Sequence, residues 1–170
     1  MGKVFTARGV LFGFLLVAFI IVFEIILARL GLPAWPAFMA MIFFFVAHED
    51  VSAAPSILIG GLAGIACAVL VEEFIAALGP ALGDEAAKLT FIGLFVYSIV
   101  LFKDTIPSVF NSYAFMFFLV GALARKASPQ SPFVWAGVEL FFGGIFIAGV
   151  VGISRIVDRV LGPAEGTVSH

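Results

Sequence analysis

A succession of long apolar stretches constrains this chain more than any other feature. A bilayer core about 30 Å thick requires a helix of about 20 consecutive apolar residues, and the chain divides into about six such segments. Of its 170 residues, 63% are hydrophobic and 12% are charged, whereas soluble domains carry about 25% charged residues. We therefore predict an all-α, polytopic membrane helix bundle with about six transmembrane helices.

Prolines, glycines and charged residues set the predicted boundaries. Two prolines within residues 31–36 end the first helix, and Glu72-Glu73 ends the third. Polar linkers are predicted at 79–88 and 125–131. The transmembrane domain is predicted over residues 1–154, followed by a polar tail over 155–170. The predicted helices cover about 10–30, 33–47, 51–71, 89–102, 105–124 and 132–153.

The distribution of basic residues predicts the orientation, because cytoplasmic loops carry an excess of Lys and Arg. If the N-terminus is cytoplasmic, five basic residues lie inside and four lie outside. The inner set is Lys3, Arg8, Lys103, Arg155 and Arg159, and the outer set is Arg29, Lys88, Arg125 and Lys126. This small excess favours two cytoplasmic termini.

Two predicted helices are short for a membrane crossing. Residues 37–47 and 89–102 would span about 16 and 21 Å. Each precedes a polar turn, 48–56 and 103–108, that contains an Asp followed by Pro-Ser. Interrupted segments at corresponding positions are typical of transporter sites. We predict a possible parallel internal repeat of helices 2–3 and 4–5, although lengthened helices that simply span the membrane remain an alternative.

The two polar turns supply the first candidate site. His48, Glu49 and Asp50 are consecutive titratable residues, and the repeat would bring Lys103 and Asp104 near them. Carboxylates attract cations and an imidazole changes charge in the physiological pH range. A substrate path through these turns is one interpretation. Ordinary solvated turns are the other.

Glu24 and Glu139 are carboxylates within predicted helices one and six. Both lie about 9–10 Å from the same outer end of their helices. Ionisable groups in membrane helices are costly and usually face the bundle interior or water. The pair is predicted to line an outward vestibule, with side chains that reach the head groups or pair with Arg29 or Arg125 as the alternative.

Helix five supplies further candidate residues for the substrate path, and two groups of small residues are candidates for helix packing. Asn111, Ser112 and Tyr113 lie among phenylalanines and could form a hydrogen-bonding constriction, bridge helices or face lipid. Small residues let helix backbones approach closely in lipid. Helix-packing faces are therefore predicted at Gly60 and Gly64 in helix three and at Gly144, Ala148 and Gly152 in helix six.

A family resemblance rests on three segments. They are residues 30–38, Leu-Gly-Leu-Pro-Ala-Trp-Pro-Ala-Phe, residues 43–47, Phe-Phe-Phe-Val-Ala, and the glycine-rich residues 60–64. Over about residues 30–124 the chain resembles the small bacterial inner-membrane proteins of unknown function typified by the YcdZ protein. The resemblance implies a bacterial plasma (inner) membrane location and no particular activity. The sequence His48-Glu49-Asp50 departs from the Cys-Pro-type turn expected there.

The remaining composition excludes several classes of function. The net charge of −2, without a basic run, argues against nucleic-acid binding. A single cysteine, Cys67, and two histidines predict no disulfide, metal site or cofactor, and no enzyme motif is recognisable. We expect a homo-oligomeric channel or carrier for a small polar or charged solute in the lipid bilayer. The alternative is a non-transporting accessory or scaffold subunit, with a membrane enzyme a distant third.

Overall fold

The computed structural model describes residues 6–162, and every regular element in that range is helical. Short connections join six helices, and a single 3-10 turn, Val51–Ala53, precedes the third. The helices are α1 Ala7–Arg29, α2 Trp35–Val46, α3 Ala54–Leu82, α4 Asp84–Phe102, α5 Ser112–Ala127 and α6 Pro132–Leu161.

Helix α6 contains a change of helical type. Its first six residues, Pro132–Gly137, are α-helical, Val138–Gly143 form a π-helical segment, and Gly144–Leu161 return to α-helix. A π segment widens one turn of the helix, and such segments occur frequently at functional sites.

Contacts between helix ends establish the topology. Arg8 donates to the Gly162 carbonyl oxygen at 3.0 Å and pairs with Asp158, so both ends of the described chain lie at one end of the bundle, here called the proximal end. Gln130 Nε2 donates to the Gly31 carbonyl oxygen at 3.2 Å at the opposite, distal end. The six helices therefore alternate in direction.

The predicted number of helices agrees with the structure, but not every helix has the length of a membrane span. Within residues 6–162, four helical segments are long and apolar enough to cross a membrane. Helices α2, with 12 residues, and α5, with 16, are shorter. At about 1.5 Å per residue α2 spans about 18 Å.

The prediction of a polar linker at residues 79–88 is wrong, because two helices cover nearly all of this segment. Helix α3 continues through Pro80, and α4 begins at Asp84 directly after Gly83. Gly83 has φ of 85°, a conformation that glycine adopts without strain. Asp84 and Glu85 lie in the first turn of α4, where acidic side chains interact favourably with the helix dipole. The acidic group marks a helix start.

The predicted end of helix three at Glu72-Glu73 is wrong, because α3 continues to Leu82, and the boundaries of α5 and α6 also differ. Helix α5 begins at Ser112 rather than 105, because the Asn111 side chain caps it by accepting a hydrogen bond from the Ala114 N–H at 2.9 Å. Helix α6 continues to Leu161, where the predicted tail was expected, and the buried Val157 lies in this extension. The rest of that predicted tail, 163–170, lies outside the described residues.

Buried apolar side chains of residues 6–162 form three clusters. The first joins α1, α2, the start of α3 and α6, the second joins α3, α4 and α5, and the third joins α2, α3, α5 and the start of α6. Helix α2 buries Ala37, Ala40 and Phe44 completely. A Cβ atom on Gly143, in the π segment, would lie 2.9 Å from the Ala40 Cβ. By contrast, α1 and α4 expose long apolar faces, as expected of helices that contact lipid.

Candidate functional site

Glu139 is the centre of the candidate site. It is the one charged side chain that is buried within residues 6–162, with 0% of its surface exposed. Neither of its carboxylate oxygens has a hydrogen-bond partner, and the same is true of the Trp135 indole nitrogen. Buried polar groups are almost always hydrogen-bonded, so an exception requires an explanation such as function or an unobserved ligand.

The local sequence explains how the carboxylate enters the bundle. Glu139 is the second residue of the π segment. It faces Gly61 of α3, where a Cβ atom would lie 2.7 Å from the carboxyl carbon and would overlap one oxygen. The same atom would lie 3.0 Å from the Phe117 ring. Glycine at this position therefore provides the space that the carboxylate occupies.

Aromatic rings surround this position. Trp35 contacts Trp135 edge-on, with ring centroids 5.4 Å apart, and lies 6.3 Å from Phe117. Phe43 lies 5.7 Å from Phe117 and 5.1 Å from Tyr113. These rings come from α2, α5 and α6, and Phe117 is the one that lies beside Gly61 together with the carboxylate.

The depth of the carboxylate follows from the directions of α3 and α6. Gly61 lies seven residues from the start of α3 and Glu139 seven residues from the start of α6, about 10 Å in each case. Helix α3 starts at the proximal end and α6 at the distal end. Their contact therefore places the carboxylate between the two ends of the bundle.

Glu24 does not join Glu139 in a vestibule. Its side chain is exposed on α1, whereas Glu139 is enclosed. The predicted pairing is wrong because residue depth along a helix does not specify the face of that helix. Glu24 lies five residues before Arg29, close enough to the helix end for its side chain to extend towards the head groups.

The two polar turns lie at the proximal end but line different cavities. Glu49 lines a cavity of about 280 Å³ with Arg8 and Ser154. Lys103 and Asp104 line one of about 510 Å³ formed by α4, α5 and their connection. The structure does not bring the predicted residues of the two turns together into one site.

The turn after α2 has an unusual backbone. His48 and Glu49 have φ values of 57° and 60°, which non-glycine residues seldom adopt. Asp50 accepts hydrogen bonds from the Ser52 N–H at 2.9 Å and hydroxyl at 2.7 Å. These bonds hold the pKa of Asp50 below its usual value, which is opposite to the rise expected of clustered carboxylates.

The polar residues of helix five have separate surroundings. The Asn111 amide donates to the carbonyl oxygens of Ser56, at 3.1 Å, and Pro107, at 2.8 Å, so it joins α5 to the start of α3. Ser112 is exposed. Tyr113 packs on Phe43. The bridging interpretation therefore describes Asn111.

The two small-residue faces differ in environment. A Cβ atom on Gly64 would lie 2.8 Å from the Phe118 backbone nitrogen, and one on Gly60 would lie 2.9 Å from the Asn111 amide nitrogen. In α6, Ala148 is exposed and a Cβ atom on Gly152 would have no neighbour within 4 Å. Ala148 and Gly152 therefore point away from the other described helices, whereas a Cβ atom on Gly144 would lie 4.0 Å from Leu58 of α3.

Sequence reasoning missed several close contacts. Gly61 contacts Glu139, Gly143 contacts Ala40, and Gly149 faces the Phe19 ring. It also missed Trp135, one helical turn before Glu139. The Trp135–Glu139 spacing of four residues was a visible signal, since it places both side chains on one face of a helix.

Chemically, the site offers one carboxylate among aromatic faces. In the described part of the chain, no group of three His, Cys, Asp or Glu side chains could hold a metal ion. An isolated carboxylate can exchange a proton or bind a small monovalent cation, and aromatic faces attract cations.

Comparisons with known proteins give one match. No curated protein and no solved structure matches the chain. The family model described as "Protein of unknown function (DUF1097)" matches residues 7–154, which include all of α1 to α5 and most of α6. On this match, the chain belongs to the DUF1097 family of proteins of unknown function.

Proposed function

We propose that this protein is an integral membrane channel or carrier for a small polar or charged solute, and that a proton or a small monovalent cation binds at Glu139. The observation that carries the proposal is the burial of Glu139 without a hydrogen-bond partner. A membrane protein retains such a costly group when function requires it, so an intramembrane carboxylate in a bundle interior is a functional candidate by default.

The π segment supports the proposal. It places Glu139 against Gly61, and a π turn is a common means of directing a side chain at a functional site. The neighbouring side chains of Trp135 and Phe117 are as fully buried as Glu139 itself. An ion could reach the carboxylate only if side chains around it moved, so on this proposal the described arrangement is a closed state.

The cellular setting is part of the same proposal. The resemblance to the YcdZ-type proteins favours the bacterial inner membrane, and the basic residues favour cytoplasmic termini. A small bundle encloses little volume by itself, which favours a homo-oligomer. A parallel repeat of α2–α3 and α4–α5 remains part of this hypothesis.

An accessory or scaffold subunit is the second candidate. The extended exposed apolar faces of α1 and α4 favour it, since exposed apolar surface on membrane helices can contact either lipid or a partner. The accessory role requires no conduction by the purified protein.

A flux experiment separates these functions. The purified protein is reconstituted in liposomes, and fluxes of protons, Na⁺ and K⁺ are measured under an imposed membrane potential. We expect flux of at least one ion above that of protein-free liposomes. Glu139→Gln keeps the side-chain shape but removes the charge, and we expect flux to fall about tenfold or more, as loss of a charge-assisted interaction predicts.

Glu24→Gln is the matched control, because it removes an exposed carboxylate from a membrane helix. We expect its flux to equal that of the wild type. Wild-type flux in a correctly folded Glu139→Gln variant would exclude Glu139 as the binding group. No flux of any of the three ions, together with stable co-purification of another subunit, would favour the accessory role.

A further inference from the structure

A cavity of about 370 Å³ lies between α3, α4 and α5, apart from Glu139. Its size is within the range of about 300–1,000 Å³ that is common for ligand pockets. Apolar side chains form most of its lining, while Glu72, Lys88 and Lys126 lie at its distal end. Leu123, which is 68% exposed, also lines it, so the cavity opens on the outer, lipid-facing side of the bundle.

Differences in side-chain size explain the cavity. Helix α4 packs along α3 and reaches α5 through phenylalanine rings. The Phe118 ring lies 5.2 Å from that of Phe95 and 6.0 Å from that of Phe91. Closer to the distal end, the small side chains of Ala68 and Ala122 line the space. They leave a gap between α4 and α5, and the phenylalanine rings close the proximal side of this gap.

Most basic groups at the distal rim are paired within residues 6–162, but one lysine is not. Arg125 engages Glu72, with Nε 3.0 Å from Oε1, so these two charges compensate each other. Lys88 lies 2.7 Å from Glu85, and the Lys126 charge also acts on that carboxylate. Glu73 and Asp84 add two carboxylates at this end, so the rim has no net positive charge, and the cation that remains for a ligand is Lys126. Among the ion pairs of residues 6–162, Lys126 takes part in none.

We propose that this cavity binds an anionic phospholipid, with its phosphate at Lys88 and Lys126 and one acyl chain in the apolar part. The arrangement along the helices matches an amphiphile. Ile92 and Ala68 lie one helical turn, about 6 Å, deeper than Lys88 and Glu72. The charged groups thus lie at the membrane surface and the apolar lining extends into the bilayer. The phosphodiester charge complements the ammonium group of Lys126, which lines the cavity and takes part in no ion pair of residues 6–162.

Lipid titration of the delipidated protein tests the proposal. Thermal unfolding in neutral detergent is measured against phosphatidylglycerol, phosphatidylcholine with the same acyl chains, and glycerol phosphate. We expect phosphatidylglycerol to stabilise at the lowest concentration and glycerol phosphate to have no effect. Lys126→Ala should weaken the phosphatidylglycerol effect about fivefold, the usual contribution of one lysine near anionic lipid.

Two further variants separate the head-group and acyl-chain contacts. Ala122→Leu fills part of the cavity and should weaken the effects of both lipids. Lys103→Ala, at the proximal end, is the control and should change neither. Equal effects of the two lipids, or an unchanged titration in Lys126→Ala, would overturn the proposal. Stabilisation by glycerol phosphate alone would show a site for free anions and would equally overturn it.

Discussion

Two regions of the molecule carry the same residue types in opposite surroundings. One is the contact of α3 with α5 and α6, and the other is formed by the outward faces of α1 and α6. Glu139 and Gly64 lie in the first region, fully buried against neighbouring helices. Glu24 and Gly152 lie in the second, where Glu24 is exposed and Gly152 has an empty space beside it. In a membrane protein, therefore, a glycine or a carboxylate in an apolar helix does not by itself reveal whether it faces protein or lipid.

The largest difference in stability is expected between substitutions of Gly64 and of Gly152. Gly64→Leu would force a side chain into the Ala114 and Phe118 backbone, which cannot move without separating α3 from α5. We expect a loss of about 3 kcal/mol or more in the free energy of unfolding, the upper range for overpacking. Thermal unfolding and size-exclusion chromatography in mild detergent would measure it.

Gly152→Leu is the matched outward substitution. We expect an unchanged or slightly higher unfolding temperature, because leucine has the better helix propensity and nothing lies within 4 Å. If Gly152→Leu instead dissociates an oligomer, the outward face is a contact between protein chains. That result would contradict the contrast between Gly64 and Gly152, because the face of Gly152 would then be a second protein interface.

An intermediate effect is expected for the two carboxylates. Glu139→Met replaces an unpartnered buried carboxylate with an apolar side chain of similar length, and such replacements are often stabilising by about 1–4 kcal/mol. We expect higher stability together with loss of ion flux. Glu24→Met should change stability by less than about 0.5 kcal/mol, as is usual for exposed positions.

Chemical or thermal unfolding of both variants in the same detergent would test this expectation. A destabilised Glu139→Met variant would mean that the carboxylate has a favourable partner, such as a bound ion or water. Glu139 would then contribute to stability through that partner.

The smallest effect is expected at the proximal turn. The Ser52 hydrogen bonds lower the pKa of Asp50, so any stability they contribute is present above its unfolded pKa of about 3.9 and is lost as the pH falls through the lower folded value. Asp50 stays ionised between about pH 5 and 8, where histidine titrates. Asp50→Asn should leave the pH profile of flux unchanged in that window.

Flux measured at several pH values within this window would check the last expectation. A shifted profile in Asp50→Asn would assign the pH dependence to the proximal turn. An unchanged profile would mean that any pH dependence of flux comes from groups other than Asp50. The proximal turn and the interior would then differ in their contribution to flux.

Some helix boundaries follow from the local sequence, whereas others depend on contacts between helices. The break between α1 and α2 was predictable because prolines interrupt helices locally. The start of α5 was not, since it depends on the Asn111 cap and its contact with Ser56 of α3. Asp84 and Glu85 are polar enough to predict a loop, but acidic residues suit the first turn of a helix equally well, and they start α4.

The sequence alone determined that this is a membrane-type protein of six helices. That much follows from long apolar stretches, because only structures that satisfy their own backbone hydrogen bonds can cross a bilayer. The tertiary structure decided that Glu139 is enclosed and Glu24 exposed, and that Gly61, Gly64 and Gly143 make the close contacts while Gly152 does not. Lipid is as apolar as the bundle interior, so the two faces of a membrane helix need not differ in hydrophobicity, and their surroundings depend on how the helices pack.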